Sequence, residues 1–126
     1  MTLHLDTSLL IDAFCRPFRS LPAVHHAVSE GHRLALSTPV AYEWLRGERT
    51  EEELGDQEAL IPLARAVTFD SACARVAADV YRTLRRARGR EIDVAIAACA
   101  LEHGAVLWTL NPNDFRDIDG LTLYRP

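Results

Sequence analysis

Residues 2–14, TLHLDTSLLIDAF, open as a short apolar strand over 2–5, close it with Asp6, and run at once into a helix, SLLIDAFC, that Thr7 or Ser8 can cap. A strand that feeds a helix through one acidic residue is the first step of an alternating α/β chain. The alternation continues outward from it. A second helix is predicted over 20–31, with Pro22 in its first turn and Gly31 at its end, followed by a short buried strand, RLALS, at 33–37. Thr38 before Pro39 starts another helix, and VAYEWLRG carries it to a stop at Gly47. Residues 48–62 are acidic and end at Pro62, which reads as an exposed helix or loop.

The second half repeats the pattern. AVTF at 66–69 reads as a strand, and Asp70 or Ser71 caps a long helix, SACARVAADVYRTLRRARG, whose apolar positions Ala72, Val76, Val80 and Leu84 recur every four residues. Gly89 breaks that pattern before a helix over 91–103 that Gly104 terminates. AVLWTL is then a strand, NPND a turn and LTLY a final short strand. Strands alternating with helices imply a mostly parallel sheet covered on both faces. No internal repeat or low-complexity linker interrupts the chain, and at 126 residues it reads as one domain over 1–126.

Composition narrows the function classes. The formal net charge of −4 argues against attraction to nucleic acid by total charge, so any such contact needs a local basic patch. All 14 basic residues are Arg. Without Lys, P-loop phosphate binding, Schiff-base chemistry and Ser/Lys dyads are excluded. Cys15, Cys73 and Cys99 are odd in number, lack CxxC spacing and lie in apolar surroundings, so they read as small buried hydrophobes of a reducing compartment. The five histidines form no zinc-type grouping. No stretch approaches a membrane span, and a soluble cytoplasmic protein is the expectation.

Four carboxylates stand where elements begin or end: Asp6 in LHLDTS, Glu43 in TPVAYEWLRG, Asp93 in REIDVAIAACAL and Asp114 in LNPNDF. In open parallel sheets, sites gather outside the carboxyl ends of the strands, where Asp6 and Asp114 fall; Glu43 and Asp93 lie in early helical turns. Crowded carboxylates repel and stay ionised only around a cation, so the pattern points to a hard divalent metal, Mg²⁺ or Mn²⁺. One or two such ions suffice to activate water against a phosphodiester. Thr7, Ser8 and Thr109 are candidate hydroxyls to orient the carboxylates. Each acid also has an ordinary role, as helix cap, dipole partner, solvated helix residue or turn residue.

The stretches LDTSLLID at 5–12, STPVAYEWLRG at 37–47 and EIDVAIAACALEHGAVLWTLNPNDFRDIDGL at 91–121 resemble the PIN-domain family, in particular VapC-type toxin ribonucleases, in order and spacing. The resemblance implies a three-layer α/β/α sandwich, Mg²⁺- or Mn²⁺-dependent endonucleolytic cleavage of RNA, inhibition by a small VapB-like antitoxin, and a homodimer. It places Asp6, Glu43 and Asp93 on the family's acidic positions; for the fourth the motif offers Asn111 and Asp114, and Asp114 is taken.

Other residues admit two readings. Arg82, Arg85, Arg86, Arg88 and Arg90 either line an RNA groove or form a solvated helix end, and Arg46 shares that ambiguity. Trp44 and Trp108, inside apolar runs, read as core before base-stacking platforms, and His25 and His26 as surface residues. Leu9, Leu10, Phe14, Phe18 and the Trp44 region are candidates for either the antitoxin surface or the core. A phosphoacceptor signalling domain also gathers aspartates at strand ends, but it needs the Lys this chain lacks. A catalytically inactive PIN-like binding module is the alternative function.

Overall fold

Three short parallel strands set the position of everything else. In the computed structural model, which describes residues 1–126, β1 (Thr2–Leu5) lies between β2 (Arg33–Ala35) and β3 (Val106–Trp108), in the order β2-β1-β3. Leu3 faces Leu34 on one side and Val106 on the other, and Leu5 faces Trp108. The chain leaves β1 towards β2 and later returns to the opposite side at β3. The crevice beyond the carboxyl ends of β1 and β3 is therefore a topological switch point, where α/β sheets bind their ligands. Six helices pack around the sheet: α1 (Thr7–Phe14), α2 (Leu21–Ser29), α3 (Thr38–Arg46), α4 (Glu51–Leu60), α5 (Ser71–Thr83) and α6 (Glu91–Glu102). The expected α/β/α architecture is present. No helix is long and apolar enough to cross a membrane.

The helices begin and end where local chemistry dictates. Gly31 and Gly104 take left-handed backbones, φ 90° and 61°, just past α2 and α6, a conformation that costs other residues about 1 kcal/mol. Asp70 caps α5 by accepting from the Cys73 amide at 3.0 Å, a bond that holds its carboxyl below the usual range. The acidic segment after Gly47 forms α4 because Thr50 and Glu53 exchange a capping box, 3.1 and 2.8 Å. At α1 the cap position is Asp6 and not Thr7 or Ser8, and the Asp6 carboxylate makes no hydrogen bond to the helix amides.

A core of 24 buried residues joins the layers. α6 is buried on most of its circumference, with Ile96, Ala97, Ala98, Cys99 and Ala100 at most 1% exposed, and its alanines allow α5 and β3 to approach closely. Leu9, Leu10, Phe14, Trp44 and Trp108 belong to this core, so of the candidates for an antitoxin surface Phe18 is partly exposed and Tyr42 and Leu45, beside Trp44, are exposed. Trp44 packs edge-on to Phe14 and donates Nε1–H to Gln57 at 3.1 Å; Gln57 in turn donates to the Ile61 carbonyl at 2.8 Å. Cys73 and Cys99 are buried, while Cys15 is only partly so, and all three are free thiols.

Three segments differ from the sequence reading. Residues 66–69 form no strand: Val67 alone bridges to Ser37, because Thr38 already turns into α3 and leaves no ladder to extend. Likewise only Leu123 of LTLY bridges, to Leu107. The long helix ends at Thr83, because Leu84 turns extended (ψ 138°) and packs against the core while Ala87 is buried behind it. Continuing the helix would also stack Arg82, Arg85, Arg86 and Arg88 at three- and four-residue spacings, where like charges repel. The inward face of α5 is accordingly Cys73, Val76, Ala77 and Val80.

Candidate active site

Asp6 sits at the carboxyl end of β1, its backbone N–H donating to the Trp108 carbonyl at 2.9 Å, and is 5% exposed. Its Oδ2 accepts from Ser8 Oγ at 2.9 Å and from Thr109 Oγ1 at 2.7 Å. Both hydroxyls also accept from the loop after β3: Leu110 N–H donates to Ser8 at 3.1 Å and Asn111 N–H to Thr109 at 2.9 Å. The carboxylate is thereby fixed against both sides of the switch point, and Oδ1 is left free of these bonds.

Glu43, one and a half turns into α3, faces the same crevice. Its Oε1 accepts from Thr7 at 2.6 Å, and Oε2 lies 3.4 Å from Arg46, whose guanidinium also stacks over Tyr42 at 5.2 Å. All three hydroxyls singled out in the sequence hold a carboxylate.

Asp93 enters from the first turn of α6. Its pKa is pushed up to about 6, first by burial and then by the negative charges of Asp6, Asp114 and Glu43, with Arg90 acting in the opposite direction. Asp6, Asp114 and Glu43 are therefore all near enough for their charges to act on Asp93. Asp114 lies in an exposed 3₁₀ turn, Pro112–Asp114. Asn111, the other candidate, is exposed and contributes its backbone to Thr109.

Beside Asp93, an open cleft of about 380 Å³ is lined by Glu43, Arg46, Gly89, Glu91 and Ile92. At roughly 30 Å³ per water, it has room for a hydrated ion and a phosphate group. No three acidic, histidine or cysteine side chains close around one point as a cage. Mg²⁺ does not require one, since it keeps several waters and takes only one or two carboxylates, so this open oxygen donor set suits it.

Two features were not legible in the sequence. Glu91 lines the cleft and accepts from the Gly89 amide at 3.1 Å. Arg90 pairs with Asp117, 27 residues away. Of the arginine run, Arg82 pairs with Asp79 and Arg90 with Asp117, while Arg85, Arg86 and Arg88 are exposed.

The family model described as PIN domain matches residues 3–121. Among solved structures, VapBC-1 from nontypeable Haemophilus influenzae is similar at 25% identity and a TM-score of 0.74, over 98% of this chain and 97% of that one. DNA-bound VapBC from Salmonella typhimurium gives 22% identity and a TM-score of 0.76, again over 98% and 97%. VapBC2 from Rickettsia felis, bound to a DNA fragment from their promoter, gives 20% and 0.73 over 98% of both chains. No curated protein matches the sequence significantly.

Proposed function

Since the chain belongs to the PIN-domain family, we propose that it is a Mg²⁺- or Mn²⁺-dependent endoribonuclease and the toxin of a VapBC-type pair, with Asp6, Glu43, Asp93 and Asp114 holding the ion. The observation that carries this reading is Asp93, whose proton affinity is raised first by burial and then by the charges of Asp6, Asp114 and Glu43 around it. Such a cluster is costly for the fold and is relieved by a cation.

When bound, the ion supplies an activated water and neutralises charge at the phosphodiester. The chain's own residues do the holding. Ser8 and Thr109 keep Oδ2 of Asp6 occupied and leave Oδ1 free of these bonds, and Thr7 holds Glu43. Removing one of these hydroxyls disorders a ligand without deleting it. Thr109→Val is expected to weaken Mn²⁺ binding by about 10- to 100-fold in calorimetric titration. Unchanged affinity would remove Thr109 from the site. Arg85, Arg86 and Arg88, exposed on the turn before α6, are the proposed phosphate contacts that offset the acidic net charge.

The partner proposed is a small VapB-like antitoxin. A groove between the α1–α2 turn and α4 is lined by Phe14, Phe18, Leu21 and Leu60, with Glu52, Glu53 and Asp56 near its rim. It suits an apolar segment carrying basic residues. The homodimer and the RNA substrate belong to the same proposal.

The test is cleavage of total cellular RNA by purified, antitoxin-free protein in Mg²⁺, Mn²⁺ or EDTA, beside an Asp6→Asn, Asp93→Asn double variant. Discrete fragments that need the metal and vanish in the variant are expected, and sequencing their ends identifies the RNA. Absence of both cleavage and metal binding would favour the inactive binding module instead.

A further inference from the structure

The arginine-rich turn before α6 divides into exposed cations and one that is fully committed. The Arg90 side chain is only 21% exposed. Its Nη1 and Nη2 donate to both carboxylate oxygens of Asp117, at 2.8 and 2.7 Å. Nη2 also donates to the Asp114 backbone carbonyl at 2.9 Å, and Nη1 reaches the Arg86 carbonyl at 3.4 Å. One guanidinium thus spans the turn that precedes Asp93 by three residues and the loop that carries Asp114.

We propose that Arg90 is a positioning residue of the acidic site: anchored by Asp117, it holds the 112–118 loop, and Asp114 with it, against the turn that leads into Asp93. This deepens the metal-dependent reading above and rests on it. The loop's own bonds are local, from the Asp114 amide to Asn111 and from the Phe115 and Arg116 amides to Pro112. Phe115 and Ile118, 1% and 4% exposed, root it in the core. Neither ties the Asp114 backbone to the turn before α6, across which the Asp93 and Asp114 charges repel. The Arg90 fork does, because it bonds the backbone of Asp114 itself. Lysine, a point charge with no planar fork, does not reproduce four such bonds.

Geometry and through-space charge have opposite signs here, which makes the proposal decidable. Arg90→Ala removes a cation beside a cation site, so charge alone would tighten Mn²⁺ binding, whereas a displaced loop weakens it. Arg90→Lys keeps the charge and loses the fork.

The experiment is calorimetric titration of Mn²⁺ into wild type, Arg90→Ala, Arg90→Lys and Asp117→Asn, with thermal midpoints and amide hydrogen exchange measured in EDTA. We expect affinity to fall by about 10-fold or more in all three variants. Exchange at residues 114–116 should quicken, with thermal midpoints within a few degrees of wild type. An Arg90→Lys variant that binds Mn²⁺ like wild type, or an Arg90→Ala variant that binds it more tightly, would overturn the proposal while leaving the metal site intact. A wild type that binds no Mn²⁺ would overturn both.

Discussion

Asp93→Asn is expected to abolish RNA cleavage and, in EDTA, to give a more stable protein than wild type. The loss of activity should exceed the 10- to 100-fold typical of residues that merely orient a ligand, because here a proposed ligand itself becomes neutral. The gain in stability has a definite pH dependence. In the fold, the Asp93 carboxyl is raised to about 6 by burial and by Asp6, Asp114 and Glu43, while in the unfolded chain it returns to the ordinary 3.8.

A raised carboxyl binds more protons folded than unfolded, so native stability falls as pH rises from about 4 to about 6 and stays low above that. The shift corresponds at most to about 3 kcal/mol, and partial exposure reduces it to roughly 1–2 kcal/mol. Asn carries no charge at any pH. The variant should therefore exceed wild type by that amount at pH 7, and the gap should close as pH falls through 6 towards 4.

His4 works in the opposite direction. Burial first, and the neighbouring His103 second, lower its pKa to about 4, so its contribution is lost as pH falls below the ordinary 6.5. That contribution is common to both proteins and cancels in the difference. Urea unfolding at several pH values in EDTA reads the result directly. A constant difference across pH 4–7, or full cleavage by the variant, would dismiss Asp93 as the centre of the acidic cluster.

Trp44→Ala should produce the largest loss of stability. The indole is fully buried, meets Phe14 edge-on, lies under the Arg49 guanidinium at 4.3 Å and satisfies buried Gln57. Deleting such a ring costs about 3–5 kcal/mol, and an orphaned Gln57 oxygen about 1–3 more. Against a typical total of 5–15 kcal/mol, the variant should be largely unfolded at 37 °C. Trp44→Phe keeps most of the volume, and it should fold with a lowered urea midpoint and cleave RNA as wild type does. A folded Trp44→Ala protein defective only in RNA binding would mean the ring contacts bases and is not structural.

Much of the fold was legible locally, because its signals act within a few residues. Gly31 and Gly104 end helices through backbone freedom, Pro22 and Pro39 start them, and Asp70 caps one with its own side chain. Weak strands were the exception. Val67 and Leu123 carry strand-like sequence, yet each makes a single bridge, since pairing depends on how much neighbouring strand remains and not on the residue itself. The end of α5 is hidden from the sequence for a related reason: burying Leu84 and Ala87 is a tertiary gain that helical periodicity does not contain.

The sequence by itself determined which chemistry was available: carboxylates and hydroxyls at element ends, arginine as the only strong cation, and no lysine. It also placed Asp6, Glu43, Asp93 and Asp114 at strand and helix ends, which short-range rules set, so that convergence at one edge was open to them without being decided. Only the tertiary structure decided that Asp6 is locked by Thr109, 103 residues away, and that Arg90 is spent on Asp117 while Arg85 and Arg86 remain free. These pairings join segments with no local signal in common, and they exist because the core brings α6, β3 and the loop after it into contact.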